Sequence, residues 1–295
     1  MKANASPYSK LTLISTGYTN LDKLLSGGIP TRKISEFSGS WSTGKSTLAY
    51  SVIVEAQKMK MPVVLADTEF SFSEKYAEAI GVGTYQLDLI QERTAEEVLD
   101  ALENWIDTHK NGLVVLDSIG GLLPRAAAET TAEGKVIGGQ AKLIATFCRK
   151  IVPQLAIRNI ALLVINHEFT DLMSGKLMTS GGAKLAYHKS IWLRLKKMNK
   201  RVMSGETQVG DIIEAEIRKD KVWGNLKMST EMTLIYKQGF LKGADFLQDA
   251  LDKGVITKQG QSYFLGDEKI CRGQAGLREW FAVAENADKI KGLIT

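Results

Sequence analysis

The sequence predicts an α/β fold: a mostly parallel sheet with helices on both faces, an antiparallel extension, and a small C-terminal α+β domain. Three observations carry this. The apolar runs at 113–116 and 160–165 are continuous rather than alternating, as strands buried on both faces require. Helix-period segments separate the runs, and alternating strand and helix implies parallel pairing through crossovers. From Ser190 onward the pattern becomes polar–apolar alternation broken by turn residues, which marks antiparallel strands.

The elements follow in order. Residues 33–38 read as a strand and 46–58 as a helix, then 63–66 as strand, 73–80 as helix and 85–90 as strand. Residues 95–108 place Val98, Leu102, Trp105 and Ile106 on one helical face. A long helix over 139–155 separates the two continuous strands. The alternating runs are 191–195, 211–217 and 231–235. Past Gly239 a helix near 244–253, a small hairpin around Gly260 and Gly266, and a helix over 274–284 are expected. The chain thus divides into a short N-terminal segment (1–30), a core (31–239) and a small C-terminal domain (240–295).

Composition is that of a soluble globular protein: 295 residues, 44% hydrophobic and 24% charged. No apolar run approaches the ~20 residues that span a bilayer, and Met1-Lys2-Ala3-Asn4 opens no signal-like segment, so a cytoplasmic protein with no membrane partner is expected. Cys148 and Cys271 lack any metal-binding or redox spacing and read as reduced thiols; three histidines argue against zinc. Net charge is +5, unevenly spread. Between Asp171 and Glu206 there is no acid, while Lys176, Lys184, Lys189, Arg194, Lys196, Lys197, Lys200 and Arg201 are all basic, which points to a polyanion.

One motif narrows the chemistry. Gly39-Ser40-Trp41-Ser42-Thr43-Gly44-Lys45-Ser46-Thr47 is a complete G-x-x-x-x-G-K-S/T loop between a strand and a helix. Its glycines let successive N–H groups turn toward a triphosphate, Lys45 supplies positive charge for the β- and γ-phosphates, and the Ser46 hydroxyl is placed to ligate Mg²⁺. Three strand ends add polar groups. Asp117 ends the 113–116 run, where a carboxylate holds Mg²⁺ through water. Asp67-Thr68-Glu69 ends the preceding strand, and Glu69 there can activate a water. Asn166-His167 ends a third, where a polar side chain can sense the γ-phosphate.

Together these residues resemble the RecA-type homologous recombinases. The resemblance runs from Ile14-Ser15-Thr16-Gly17 through the phosphate loop, Asp67-Thr68-Glu69, Val114-Val115-Leu116-Asp117-Ser118, Ile165-Asn166-His167 and Thr179-Ser180-Gly181-Gly182-Ala183 to Ile217-Arg218-Lys219-Asp220-Lys221. His167 and the Asp-Thr-Glu-Phe motif look more like the phage UvsX-type branch. The resemblance implies a RecA-like ATPase core using ATP and Mg²⁺, assembling as a helical filament on single-stranded DNA with ATP between subunits, and exchanging strands with homologous double-stranded DNA. Single-strand-binding and loader proteins are implied as possible partners.

By position, Glu69 is then the catalytic base, with Lys45 and His167 beside it, and Ser46 and Asp117 manage Mg²⁺. Tyr76 stacks near the adenine with Tyr236 close by. Lys219 and Lys221 reach a neighbour's ATP. Residues 126–139, including Ile137, form the first DNA-binding loop, and 168–181 the second, with Lys142, Gly181 and Gly182 alongside. The second loop mixes Phe169, Leu172, Met173, Leu177 and Met178 with Lys176, a combination of base-wedging side chains and a phosphate contact that suits single-stranded DNA. Three departures stand out: few residues precede Ile14, Ser73 replaces an adenine-contacting Asp, and no acidic tail follows Ile294. The alternatives are a RecA-fold ring motor such as a helicase core, and a nucleotide-switched DNA-binding accessory protein.

Overall fold

The computed structural model describes residues 10–129, 139–170, 177–204, 206–226, 228–242, 250–251, 253–282 and 284–294. Strands Leu13–Ile14 (β1) and Ile29–Pro30 (β2) pair across helix Thr19–Leu24 (α1). Asp22 in α1 explains the Ile-Ser-Thr-Gly motif structurally: its carboxylate accepts from the hydroxyls of Ser15 and Thr16 and from the Thr16 N–H. Ile14, Leu21, Leu25 and Ile29 are fully buried in the same cluster as the central helix of the core, so this segment is packed into the core rather than laid beside it.

The main body alternates as expected: Ile34–Gly39 (β3), Lys45–Lys58 (α2), Val63–Asp67 (β4), Glu74–Ile80 (α3), Leu87–Ile90 (β5), Ala95–Thr108 (α4), Asn111–Asp117 (β6), Arg125–Ala128 (α5), Gly139–Ile157 (α6), Asn159–Thr170 (β7), Leu177–Thr179 (β8), Gly182–His188 (α7), Ile191–Ser204 (β9), Thr207–Asp220 (β10), Ser229–Ile235 (β11) and Gly239–Phe240 (β12). The central sheet runs β12-β11-β10-β9-β3-β7-β6-β4-β5, with β8 pairing off β7.

The continuous apolar runs are explained by burial on both faces. In β6, Leu113 and Val115 join the cluster under α2, whereas Val114 and Leu116 join the cluster under α4 and α6. Each such side chain contributes about 1.5–3 kcal/mol on burial. Local signals set the helix ends. α4 starts at a capping box in which the Thr94 hydroxyl and Glu97 satisfy each other's backbone N–H groups, and α3 stops at Gly81 in a left-handed conformation.

Several expectations are corrected. The strand at 191 is not purely part of the antiparallel extension: one edge of β9 runs parallel to β3, Ser35 opposite Ile191, and only its other edge is antiparallel, to β10. β9 and β10 are each 14 residues long, because alternation persists beyond the short apolar runs. Residues 84–86 form a 3₁₀ turn ahead of β5. Glu168 to Thr170 and Leu177 to Thr179 are not open loop but the two arms of the antiparallel β7–β8 pair.

At the C-terminal end, the expected hairpin is a three-stranded sheet, Ile256–Gln259 (β13), Ser262–Leu265 (β14) and Glu268–Arg272 (β15). The charged start of β15 hid its alternation. Helix Gly273–Ala282 is followed by a further helix, Ala284–Ile294, and both pack through Leu277, Phe281 and Ile290 onto Ile256 and Tyr263. The helix expected near 244–253 falls largely outside the described residues.

Candidate functional site

The phosphate loop leaves the C-terminal end of β3 and enters α2. Its glycines are fixed by close approach: a Cβ on Gly39 would lie 2.4 Å from the Leu195 carbonyl oxygen, and one on Gly44, at φ +80°, would lie 2.7 Å from the Phe240 ring. Ser40, the next residue, is exposed. Trp41, Ser42, Thr43, Gly44, Lys45, Ser46 and Thr47 line a cleft of about 250 Å³ whose other walls are Glu69, Asp117 and His167. The structure therefore brings two strand ends and His167 to one loop, at the carboxyl edge where parallel α/β sheets bind ligands; His167 does not end its strand as expected but closes the parallel pairing with β3, after which β7 runs on to Thr170 against β8.

Inside the cleft Lys45 is 5% exposed, and its ammonium donates to the Gly39 and Ser40 carbonyls at 3.1 and 2.8 Å. Burial lowers its pKa, opposed by the charges of Asp117 and Glu69. Burial raises the Asp117 carboxyl to about 6, against a hydrogen bond from Ser46. A buried carboxylate hydrogen-bonded to a hydroxyl is a hard-oxygen donor pair, and these two residues fit Mg²⁺.

Glu69 is held by two groups on one oxygen: Ser118 Oγ donates to Oε1 at 2.5 Å, and His167 Nε2 lies 3.0 Å from the same atom. Ser118 is set in turn by Thr68, whose hydroxyl accepts from the Ser118 N–H at 2.9 Å and donates to its carbonyl at 2.7 Å. Neither hydroxyl was singled out by sequence reasoning, although both sit inside motifs it used. Asp67 is structural: its carboxylate accepts from the N–H groups of Ser71 and Phe72 and from Gln91.

The two tyrosines are held by different groups. The Tyr76 hydroxyl lies 2.8 Å from Thr47 Oγ1, and its ring packs edge-on against Tyr50. The Tyr236 hydroxyl donates to Asp211 at 2.8 Å and accepts from Gln208 at 2.9 Å, on the outer strands. Ser73 caps α3, accepting from the Tyr76 N–H. Neither tyrosine lines the phosphate cleft.

Lys219 and Lys221 do not line it either. They extend from β10 to the last turn of α7, donating to the Ala186 carbonyl at 2.5 Å (Lys219) and the Tyr187 carbonyl at 3.0 Å (Lys221). Burial and the neighbouring Lys221 charge lower Lys219 to about 8.

Of the residues expected to meet DNA, Phe169 and Met178 are direct cross-strand partners on β7 and β8, both about half exposed. Lys142 is exposed near the start of α6. Gly181 begins α7 beneath Leu185 and Ile119, and Gly182 brings α7 against Ala141 of α6. Ile137, Met173 and Lys176 lie outside the described residues. The basic stretch is less free than its composition implied. Lys189 pairs with Glu36, Arg194 with Glu168, Lys197 with Asp211 and Lys200 with Glu231. The acids missing from the stretch come from neighbouring strands.

A buried polar chain underlies the cleft. Glu36, on β3, is matched by Lys189 at 2.7 Å, both essentially inaccessible, and the ammonium sits 3.6 Å over the Trp192 ring. Trp192 Nε1 donates to Ser38 Oγ, which donates to Glu168. Asn166, before His167, exchanges two hydrogen bonds with the backbone of Ser180.

Fold and cleft define a protein of the phosphate-loop nucleotide-binding class, with carboxylates at adjacent parallel strand ends. The chain matches the RecA N-terminal domain over residues 1–241. It is 32% identical to Protein RecA of Deinococcus radiodurans over 278 residues, covering 93% of this chain and 76% of that protein. It is also 32% identical to Protein RecA of Symbiobacterium thermophilum, covering 95% and 82% respectively, and 30% identical to that of Ureaplasma parvum, covering 91% and 81%. The chain belongs to the RecA family, whose members are ATP-dependent recombinases that pair and exchange homologous strands. The relatives named are bacterial, and they lend no support to the phage branch.

Proposed function

We infer that this protein hydrolyses ATP to ADP and phosphate within filaments on single-stranded DNA, and that this turnover controls homologous pairing and strand exchange. The observation that carries the reading is the shared strand β7: it holds His167 at the phosphate cleft and, two residues later, the half-exposed Phe169 that this reading gives to DNA. Nucleotide state and DNA contact are thereby joined through one short piece of backbone.

In the cleft, the loop N–H groups and Lys45 bind the β- and γ-phosphates. Ser46 and Asp117 would hold Mg²⁺, which would offset phosphate charge. Glu69, with Oε1 occupied by Ser118 and His167, has Oε2 left to take a proton from water as that water attacks the γ-phosphorus. The bond to the bridging oxygen breaks and ADP leaves. His167, on the catalytic carboxylate, registers the γ-phosphate. ATP lies between subunits, with Lys219 and Lys221 supplied by the neighbour in the manner of an arginine finger. Tyr76 and Tyr236 flank the adenine.

The test is Glu69→Gln. It retains ATP binding, loses about 10²-fold or more in DNA-stimulated turnover, and still forms open helical filaments on single-stranded DNA by negative-stain imaging. Closed rings would favour a ring motor, and wild-type turnover would remove Glu69 from the mechanism.

A further inference from the structure

Glu168 is a buried charge outside the phosphate cleft. It does not line the cleft, and its side chain is 3% exposed. Its place in the sheet is a junction: His167 is the last residue of β7 to pair with β3, and Glu168 is the first to pair with β8. The half-exposed Phe169 follows it. A buried carboxylate is costly unless it is matched and hydrogen-bonded, so its partners show what it fixes.

Those partners lie across β3. Ser38, immediately before the first glycine of the phosphate loop, donates to Glu168 Oε1 at 2.8 Å. Arg194 sits on β9, two strands away and opposite Ser38, and its Nε donates to both carboxylate oxygens at 3.1 and 2.9 Å. Trp192 Nε1 donates to the same Ser38 hydroxyl at 2.7 Å, and the Trp192 ring is itself covered by Lys189. The carboxylate thus clips the root of the β7–β8 arm to the last side chain before the loop. Its charge also reaches Lys45 inside the loop, whose ammonium it supports.

We propose that Glu168 is a positioning residue: with Ser38 and Arg194 it forms a lock that holds the β7–β8 arm to the phosphate-loop strand, so that nucleotide in the loop and DNA on the arm bias each other's binding. It acts through Ser38 and the β7 backbone, not by contact with either ligand. This deepens the functional reading and rests on it. By reciprocity, whatever factor the nucleotide adds to DNA affinity, DNA adds to nucleotide affinity, and the lock carries both.

Anisotropy of a fluorescent single-stranded DNA, titrated with the full chain, tests it. Affinity is read without nucleotide and with a slowly hydrolysed ATP analogue, and the gain on adding the analogue is the coupling. Arg194→Gln lowers that gain about 10-fold and leaves nucleotide-free DNA affinity within about 2-fold. Arg194→Lys recovers most of it, because an ammonium still gives the carboxylate a charged donor. Glu168→Leu/Arg194→Met removes the lock without leaving a buried charge, so it folds even where Arg194→Gln does not, and it shows the same low gain. An apolar pair with the wild-type gain overturns the lock, since the ion pair then serves stability alone. A fall in nucleotide-free DNA affinity that accounts for the whole change also overturns it, making Arg194 a DNA contact. A wild type whose DNA affinity ignores nucleotide overturns the functional reading and the lock with it, whereas a coupled wild type with equally coupled variants removes the lock alone.

Discussion

Lys45 and the pair Lys219–Lys221 make the same local bonds in opposite settings. Each ammonium donates to backbone carbonyls: Lys45 to the start of its own phosphate loop, the pair to the last turn of α7. Lys45 is enclosed and has Asp117 and Glu69 to support its charge. Lys221 is exposed and Lys219 half-buried, and burial together with the Lys221 charge lowers Lys219. A cation surrounded by acids is committed to its place, whereas two cations sharing a helix end are better satisfied by an arriving anion. The first is built into its own cleft, and the second is the pair that the proposed function supplies to a neighbouring subunit's.

Mixing breaks or sharpens that contrast most strongly. Lys45→Ala abolishes hydrolysis, and Lys219→Ala/Lys221→Ala lowers it by about 10³-fold. Mixed on single-stranded DNA, the two variants regain part of the activity, because the first lends lysines to the second's intact cleft. Co-assembly without recovery would make the lysine pair a plain helix cap. On the nucleic-acid side, Phe169→Ala weakens single-stranded DNA binding about 10-fold, the scale of one lost base stack. Binding to DNA also falls steeply with added salt, measured by fluorescence anisotropy.

The smallest effect is in pH. Lys219 is cationic below about 8 and neutral above it, so kcat/KM falls on the alkaline side with a midpoint near 8. Lys219→Arg moves that limb upward, since a guanidinium stays charged. An unmoved limb would assign the titration to another group.

Much of this was legible in the sequence, and the boundary is physical. Continuous runs such as 113–116 announced two-sided burial, and the phosphate loop announced a strand on one side and a helix on the other. Glu69, Asp117 and His167 were legible because a parallel sheet sends the ends of its parallel pairing to one edge, although β7 itself runs on past His167 to Thr170. Partners chosen by tertiary geometry were not. Nothing at Ser118 or Thr68 distinguishes them from ordinary hydroxyls until β4 and β6 lie side by side. Glu36 and Lys189 are 153 positions apart, and only their shared burial makes them a pair. The basic stretch pointed to a polyanion, as suits a family that acts on DNA, but composition could not show that four of its charges are paired by acids on other strands, such as Asp211 and Glu231.

Helix α7 has a mechanical meaning beyond its chemistry. It is seven residues, about 10 Å of stiff rod. Its leading end is stitched to β7 through Asn166 and Ser180. Its trailing end is anchored to β3 by the buried Lys189–Glu36 pair and to β10 by two surface lysines. A strut fastened at both ends cannot absorb a displacement; it passes it on. The same short helix therefore links β7, the strand that carries the phosphate loop, and the two lysines through one unbroken set of contacts.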